Sequence, residues 1–107
     1  AHNRDRLDYC DELPKDMKDH IVVTGCIDRI ETIMYCLQTF RSSSFRFTDY
    51  DKSVVFLTSM MKREGLRDYQ VAPALIRDVF FLKGEARLKK DLKRAKVSDA
   101  FSVIIFG

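Results

Sequence analysis

The run His20-Ile21-Val22-Val23-Thr24-Gly25 constrains this chain more than any other stretch. Three consecutive β-branched apolar residues, with no polar alternation, predict a strand buried on both faces, as in the middle of a parallel sheet. Gly25 permits a tight turn, and a helical pattern opens at Asp28. Strand, turn and helix in this order place a ligand crevice at the strand's carboxyl end in nucleotide-binding folds.

The remaining chain repeats that alternation. Ile30, Ile33, Met34, Leu37 and Phe40 fall on one stripe, so the spacing predicts an amphipathic helix over 28–41, with Asp28 as an N-cap or first-turn acid. Ser42-Ser43-Ser44 ends it, and a connection carrying Asp49 and Asp51 leads to a second apolar strand within 53–59. The region 60–78 contains Gly65 and Pro73, which predict a broken helix with Leu75 and Ile76 in its last turns. A third strand is expected over 79–82, a helix over 85–97 with Leu88, Leu92 and Ala95 on its inner face, and a fourth strand over 101–106. The opposite helix face is Arg87, Lys89, Lys90, Lys93, Arg94 and Lys96, read as a solvated face able to meet anionic lipid or an acidic neighbour.

This β-α-β-α-β-α-β order predicts an α/β, Rossmann-like parallel sheet of about four strands, spatial order 3-2-1-4, with helices on both faces. Residues 1–19 are acid-rich, with Asp5, Asp8, Asp11, Glu12, Asp16 and Asp19, and read as an N-terminal arm or linker anchored by Leu7, Tyr9, Cys10 and Leu13. Residues 20–107 read as the folded unit. The closing run Phe101–Gly107 reads as the end of a piece cut from a longer protein, making the fold C-terminally truncated.

Composition narrows the function classes. Hydrophobic residues at 46% and charged residues at 33% of 107 describe one soluble domain with a single core. A net charge of +3, from 19 basic and 16 acidic residues, is too balanced to argue for nucleic acid. Cys10, Cys26 and Cys36 read as reduced thiols of a cytosolic compartment, and His2 and His20 cannot complete a zinc set.

The crevice sequence is Gly25-Cys26-Ile27-Asp28-Arg29-Ile30, which keeps only the first glycine of Gly-x-Gly-x-x-Gly. Ile27 and Ile30 stand at the second and third glycine positions, filling the space a phosphate needs. Asp28 brings negative charge, and the second strand ends in Thr58-Ser59 instead of a ribose-binding acid. The expectation is a degenerate crevice at Gly25, Cys26, Ile27 and Asp28 that holds no cofactor. Cys26 reads as a structural cysteine, because free cysteines are mostly buried and no histidine is placed to activate it. No catalytic residue is expected. Asp49 and Asp51 are the weak metal candidates, too few for a calcium shell by themselves.

Three stretches then carry a family resemblance. His20-Ile21-Val22-Val23 with its glycine and helix resembles the opening of RCK domains, the regulators of potassium conductance. Gly84, followed by Leu92, Ala95, Val97 and Ala100 and then Val103-Ile104-Ile105, is similar to that family's third helix and fourth strand. Phe40-Arg41-Ser42-Ser43-Ser44-Phe45 followed by Val54-Val55-Phe56-Leu57-Thr58-Ser59 is most similar to the second RCK domain of Slo-type, large-conductance calcium-activated potassium channels. The resemblance covers about residues 18–107.

It implies a non-enzymatic, cytoplasmic gating-ring domain of a membrane-embedded channel, partnered by other RCK domains in a homotetramer, with calcium acting on the full-length protein. The acidic calcium-bowl run of the second domain would lie beyond the fourth strand. The first domain's magnesium-site acids would fall near Ser53 and Phe80, which cannot serve, and Asp49 and Asp51 lie near a first-domain calcium ligand. The family's assembly helices follow the fourth strand, so apolar faces are expected to stand uncovered, as at interfaces. The competing reading is a nucleotide- or metabolite-binding Rossmann-type domain with a degenerate glycine loop.

Overall fold

The computed structural model describes residues 8–41, 52–62, 65–66 and 73–107. In chain order the elements are β1 (Tyr9–Cys10), β2 (Ile21–Gly25), α1 (Ile30–Arg41), β3 (Val54–Leu57), α2 (Pro73–Ile76), β4 (Val79–Leu82), α3 (Lys89–Arg94), a 3-10 turn (Val97–Asp99) and β5 (Ser102–Phe106).

All five strands are parallel, in the order β1-β4-β3-β2-β5. The four expected strands therefore stand in the order 3-2-1-4, and a fifth strand from the N-terminal arm extends the β4 edge. The sequence reading missed it because two residues carry no period; only pairing of Tyr9 with Phe81 and Cys10 with Leu82 makes them a strand. β2 is central, flanked by β3 and β5, and Ile21, Val22, Val23 and Thr24 are all buried.

Alternation across β2 sends its side chains into two cores. Ile21 and Val23 join Val54, Phe56 and Phe81 beneath Ile33, Cys36, Leu37 and Phe40 of α1. Phe56 and Phe81 stack at 5.0 Å between ring centroids, and Tyr9 meets the edge of Phe81 at 6.5 Å. Val22, Val55, Leu57 and Leu82 face the other way, against Leu13, Ala95, Leu92 and Val97. Helices thus cover both faces, as the parallel order requires.

α1 begins at Ile30, two residues later than expected, and Asp28 lies ahead of it, 3.6 Å from Arg29. At its far end Arg41 is buried, its guanidinium donating to the carbonyls of Lys52 at 2.7 Å and Arg77 at 2.6 Å. A basic residue in the last turn suits the helix dipole, and here it also ties the approaches of β3 and β4 together.

The last helix is shorter than the expected span 85–97. Leu88 is extended, with φ −100° and ψ 121°, and Lys96 is left-handed at φ 53°, so only Lys89–Arg94 are helical. The cause is Asp91. Its buried carboxylate accepts the backbone N–H of Glu85 at 2.9 Å and the Arg94 guanidinium at 3.0 Å, pinning the lead-in as a turn. A Cβ on Gly84 would sit 2.7 Å from that carboxylate, so the glycine is needed there.

The basic helix face is partly engaged. Arg94 also donates to the carbonyls of Lys83 at 3.0 Å and Asp11 at 3.2 Å, and Lys96 donates to the Lys15 carbonyl at 2.7 Å. With Leu13 buried in the same region and the Tyr9 hydroxyl donating to the Met61 carbonyl, residues 8–19 pack on the sheet.

Two outcomes are expected. The Glu85 N–H and Arg94 hold the Asp91 carboxyl below its usual value, so its contribution is complete above about pH 4 and is lost as pH falls through the lowered folded value. Asp91→Asn should cost about 1–3 kcal/mol at neutral pH. In urea titrations the wild-type advantage should stay constant from pH 7 to about 5 and shrink below about 4. Tyr9→Ala should lower the melting temperature by removing both the Phe81 contact and the hydroxyl bond, whereas Tyr9→Phe should cost only about 1 kcal/mol.

Candidate functional site

The carboxyl ends of β2, β3 and β4 form the edge where α/β folds hold ligands. Each of the residues singled out there can be placed. Gly25 has a φ of 99°, a backbone state open to glycine, and an added Cβ would run into the backbone of Phe106 at the end of β5. Gly25 therefore serves both the turn and the close approach of the neighbouring strand.

Phosphate binding at such a turn uses free backbone N–H groups. Here the first two are already committed. The Cys26 N–H donates to the Phe106 carbonyl at 2.9 Å, and the Ile27 N–H donates to the Gly25 carbonyl at 2.9 Å. The Ile27 carbonyl is taken as well, accepting the Thr58 hydroxyl at 2.9 Å. Thr58 in turn accepts the Met60 N–H at 3.1 Å, and its own carbonyl accepts the Gly84 N–H at 3.2 Å. One step inside, the Thr24 hydroxyl donates to the Leu57 carbonyl at 2.8 Å. The ends of four strands are stitched to one another.

The physical cause of closure differs from the sequence expectation. Ile27 is fully buried in the α1-side core and Ile30 packs against it, so their side chains anchor the loop from below and do not occupy the space above it. Hydrogen bonds to Phe106 and Thr58 take up the polar groups instead. Thr58 was visible only as a missing ribose acid; a hydroxyl at a strand end adjoining another loop is the signal that locates it.

The thiols separate by environment. Cys26 is exposed, which corrects its reading as a buried structural cysteine: the turn at Gly25 directs Ile27, not Cys26, into the core. Cys36 is buried in α1, and desolvation pushes its thiol up to about 11, while burial raises Cys10 at the β1 edge. His20, at the opposite end of β2, is buried with its Nε2 at 2.8 Å from the Ala95 carbonyl, far along the strand from Cys26. These positions bring no nucleophile and base together among the described residues.

Asp49 and Asp51 lie outside the described residues. Among the described residues, no group of three or more His, Cys, Asp or Glu is placed to hold a metal ion, and no helix is long and apolar enough to cross a membrane.

The remaining surface feature is β5. It pairs with β2 on one side, and its Ile104 and Phe106 pack on the α1-side core. Val103 and Ile105 point to the α3 face and stand 38% and 68% exposed, with Phe101 beside them at 53%. The uncovered apolar strip expected near the fourth strand is therefore present.

The turn geometry makes one expectation quantitative. Gly25→Ala should destabilise the fold by at least about 2 kcal/mol, through the positive φ and the Phe106 backbone. Gly65→Ala, where nothing lies within 4 Å of the added Cβ, should change stability by less than about 0.5 kcal/mol. Paired thermal melts of the two variants check this.

No curated protein matches the chain. The family described as the calcium-activated potassium channel slowpoke-like RCK domain matches residues 16–107, which takes in β2 to β5 and every helix described above. With its Rossmann-like parallel sheet and that match over most of its length, the chain belongs to the slowpoke-like RCK domain family of calcium-activated potassium channels.

Proposed function

We propose that this chain is part of a cytoplasmic gating ring, where it contributes to ring assembly and couples conformational change to a channel pore. Family membership supports the channel assignment. The observation that carries the assembly role is the β5 strip of Phe101, Val103 and Ile105, since a contiguous apolar surface on a charged protein is usually an interface. The partners are other RCK domains of the same channel, in a tetramer.

The role is mechanical and regulatory rather than catalytic. The committed amides at Cys26 and Ile27 leave the crevice poorly suited to a nucleotide, and the stitched strand ends suit a unit that moves as one body. Calcium acts elsewhere in the full-length protein.

Calorimetric titration with NAD, NADP, ATP and AMP should give no saturable heat. Micromolar binding of any of them would favour the competing metabolite-binding reading. Calcium should likewise show no specific site, and a strong response abolished by Asp51→Ala would overturn that part. Light scattering at rising concentration should report self-association that Val103→Lys with Ile105→Lys abolishes; a strict monomer throughout would count against the assembly role.

A further inference from the structure

The segment from Lys83 to Lys96 carries a charge excess that neither the fold nor the assembly strip uses. It holds seven cations, Lys83, Arg87, Lys89, Lys90, Lys93, Arg94 and Lys96, against two carboxylates, Glu85 and Asp91. Both carboxylates are spent. Glu85 pairs with Arg87 at 2.9 Å, and Asp91 is buried between the Glu85 N–H and Arg94. Lys83, Lys89, Lys90 and Lys93 are exposed, and among the described residues none of them has a carboxylate within ion-pair distance. The acids of residues 8–19 border this patch where Arg94 reaches the Asp11 carbonyl, but Arg94 and Lys96 bind backbone oxygens there.

We infer that this basic helix face adsorbs to the anionic headgroups of a lipid bilayer. Three observations select that partner. The four unpaired cations are all lysines, flexible and strongly hydrated point charges that suit a diffuse anionic surface better than planar, bidentate recognition. Lys89, Lys90 and Lys93 stand on α3 and Lys83 on the segment leading to it, and no large apolar side chain of α3 is exposed to anchor a peptide: among the described residues the exposed ones are Tyr35, Met60, Phe101, Val103 and Ile105. Membership in a channel family places a membrane within reach, and in this one respect the inference rests on the reading above.

The contact is electrostatic and peripheral. Each lysine at an anionic surface is worth about a fivefold gain in partitioning at physiological salt, and the gain fades as the Debye length shrinks. Four unpaired lysines make the sum measurable, and none of them is needed by the hydrogen bonds that hold α3.

Co-sedimentation of the chain with vesicles of phosphatidylcholine alone, and of phosphatidylcholine mixed with phosphatidylserine, tests this without reference to channel activity. Binding is expected to the mixed vesicles only, and to fall with added salt. Lys89→Glu with Lys90→Glu and Lys93→Glu should reduce it by about 100-fold or more while the melting temperature stays near wild type. Lys18→Glu, on the exposed part of the arm, should leave most of it. Should the triple variant unfold, the milder Lys89→Gln with Lys93→Gln must still lower binding by about 25-fold or less, and above about fivefold. Equal binding to both vesicle types, no binding to either, undiminished binding of the folded variants, or saturable binding of poly-glutamate with none to vesicles would each overturn the inference. The last result would assign the face to an acidic protein segment. Failure here leaves the gating-ring reading standing, because that reading is tested by self-association at β5.

Discussion

The fold depends on β2 being buried on both faces and paired on both edges. Four consecutive residues, Ile21 to Thr24, leave almost no surface to water, so every neighbour must supply apolar area or a backbone partner. β3 and β5 provide the backbone partners, α1 covers Ile21 and Val23, and α3 with Leu13 covers Val22. A shift of one residue in the register of β2 would exchange its two faces and disrupt both cores at once. That makes the strand a rigid reference from which the rest is positioned.

The end of that strand is a nucleotide-type turn whose first amides are bonded within the protein. Gly25 still makes the turn, but the space a cofactor backbone would approach is occupied by Phe106, and the amide groups that would meet a phosphate are bonded within the protein. Thr58 carries the same closure to β3 and on to Gly84 after β4. Polar groups at the sheet end are therefore satisfied internally, and the strand ends are coupled to one another instead of to a ligand.

At the opposite face, carbonyl oxygens hold the arm. Arg94 and Lys96 reach Asp11 and Lys15 through backbone oxygens, and Asp91 shapes the short helix that Arg94 ends. This division of labour leaves Lys89, Lys90 and Lys93 of the helix unpaired while Arg94 and, beyond the helix, Lys96 do structural work. The β5 strip and the basic face differ in chemistry, the first apolar and the second charged.

Much of this was legible from residue order. The unbroken apolar runs at 21–23 and 54–57 identify buried parallel strands, the stripe from Ile30 to Phe40 identifies α1 and its inner face, and the alternation of these units fits a Rossmann-type half, whose order 3-2-1-4 the four strands take. The residues at 27 and 30 also depart from the glycines of the dinucleotide fingerprint. What tertiary structure alone decided are the features that depend on residues distant in the chain. Tyr9 and Cys10 become a strand only because β4 offers an open edge, and the helix near residue 90 is short because Asp91 is buried against Gly84 and the Glu85 amide. Cys26 is exposed because the Gly25 turn rotates Ile27 inward, and the crevice closes through Phe106, eighty residues on from Cys26. Local pattern records periodicity and turn chemistry, which act within a few residues; hydrogen bonds and close approaches across the sheet are set only when the strands come side by side.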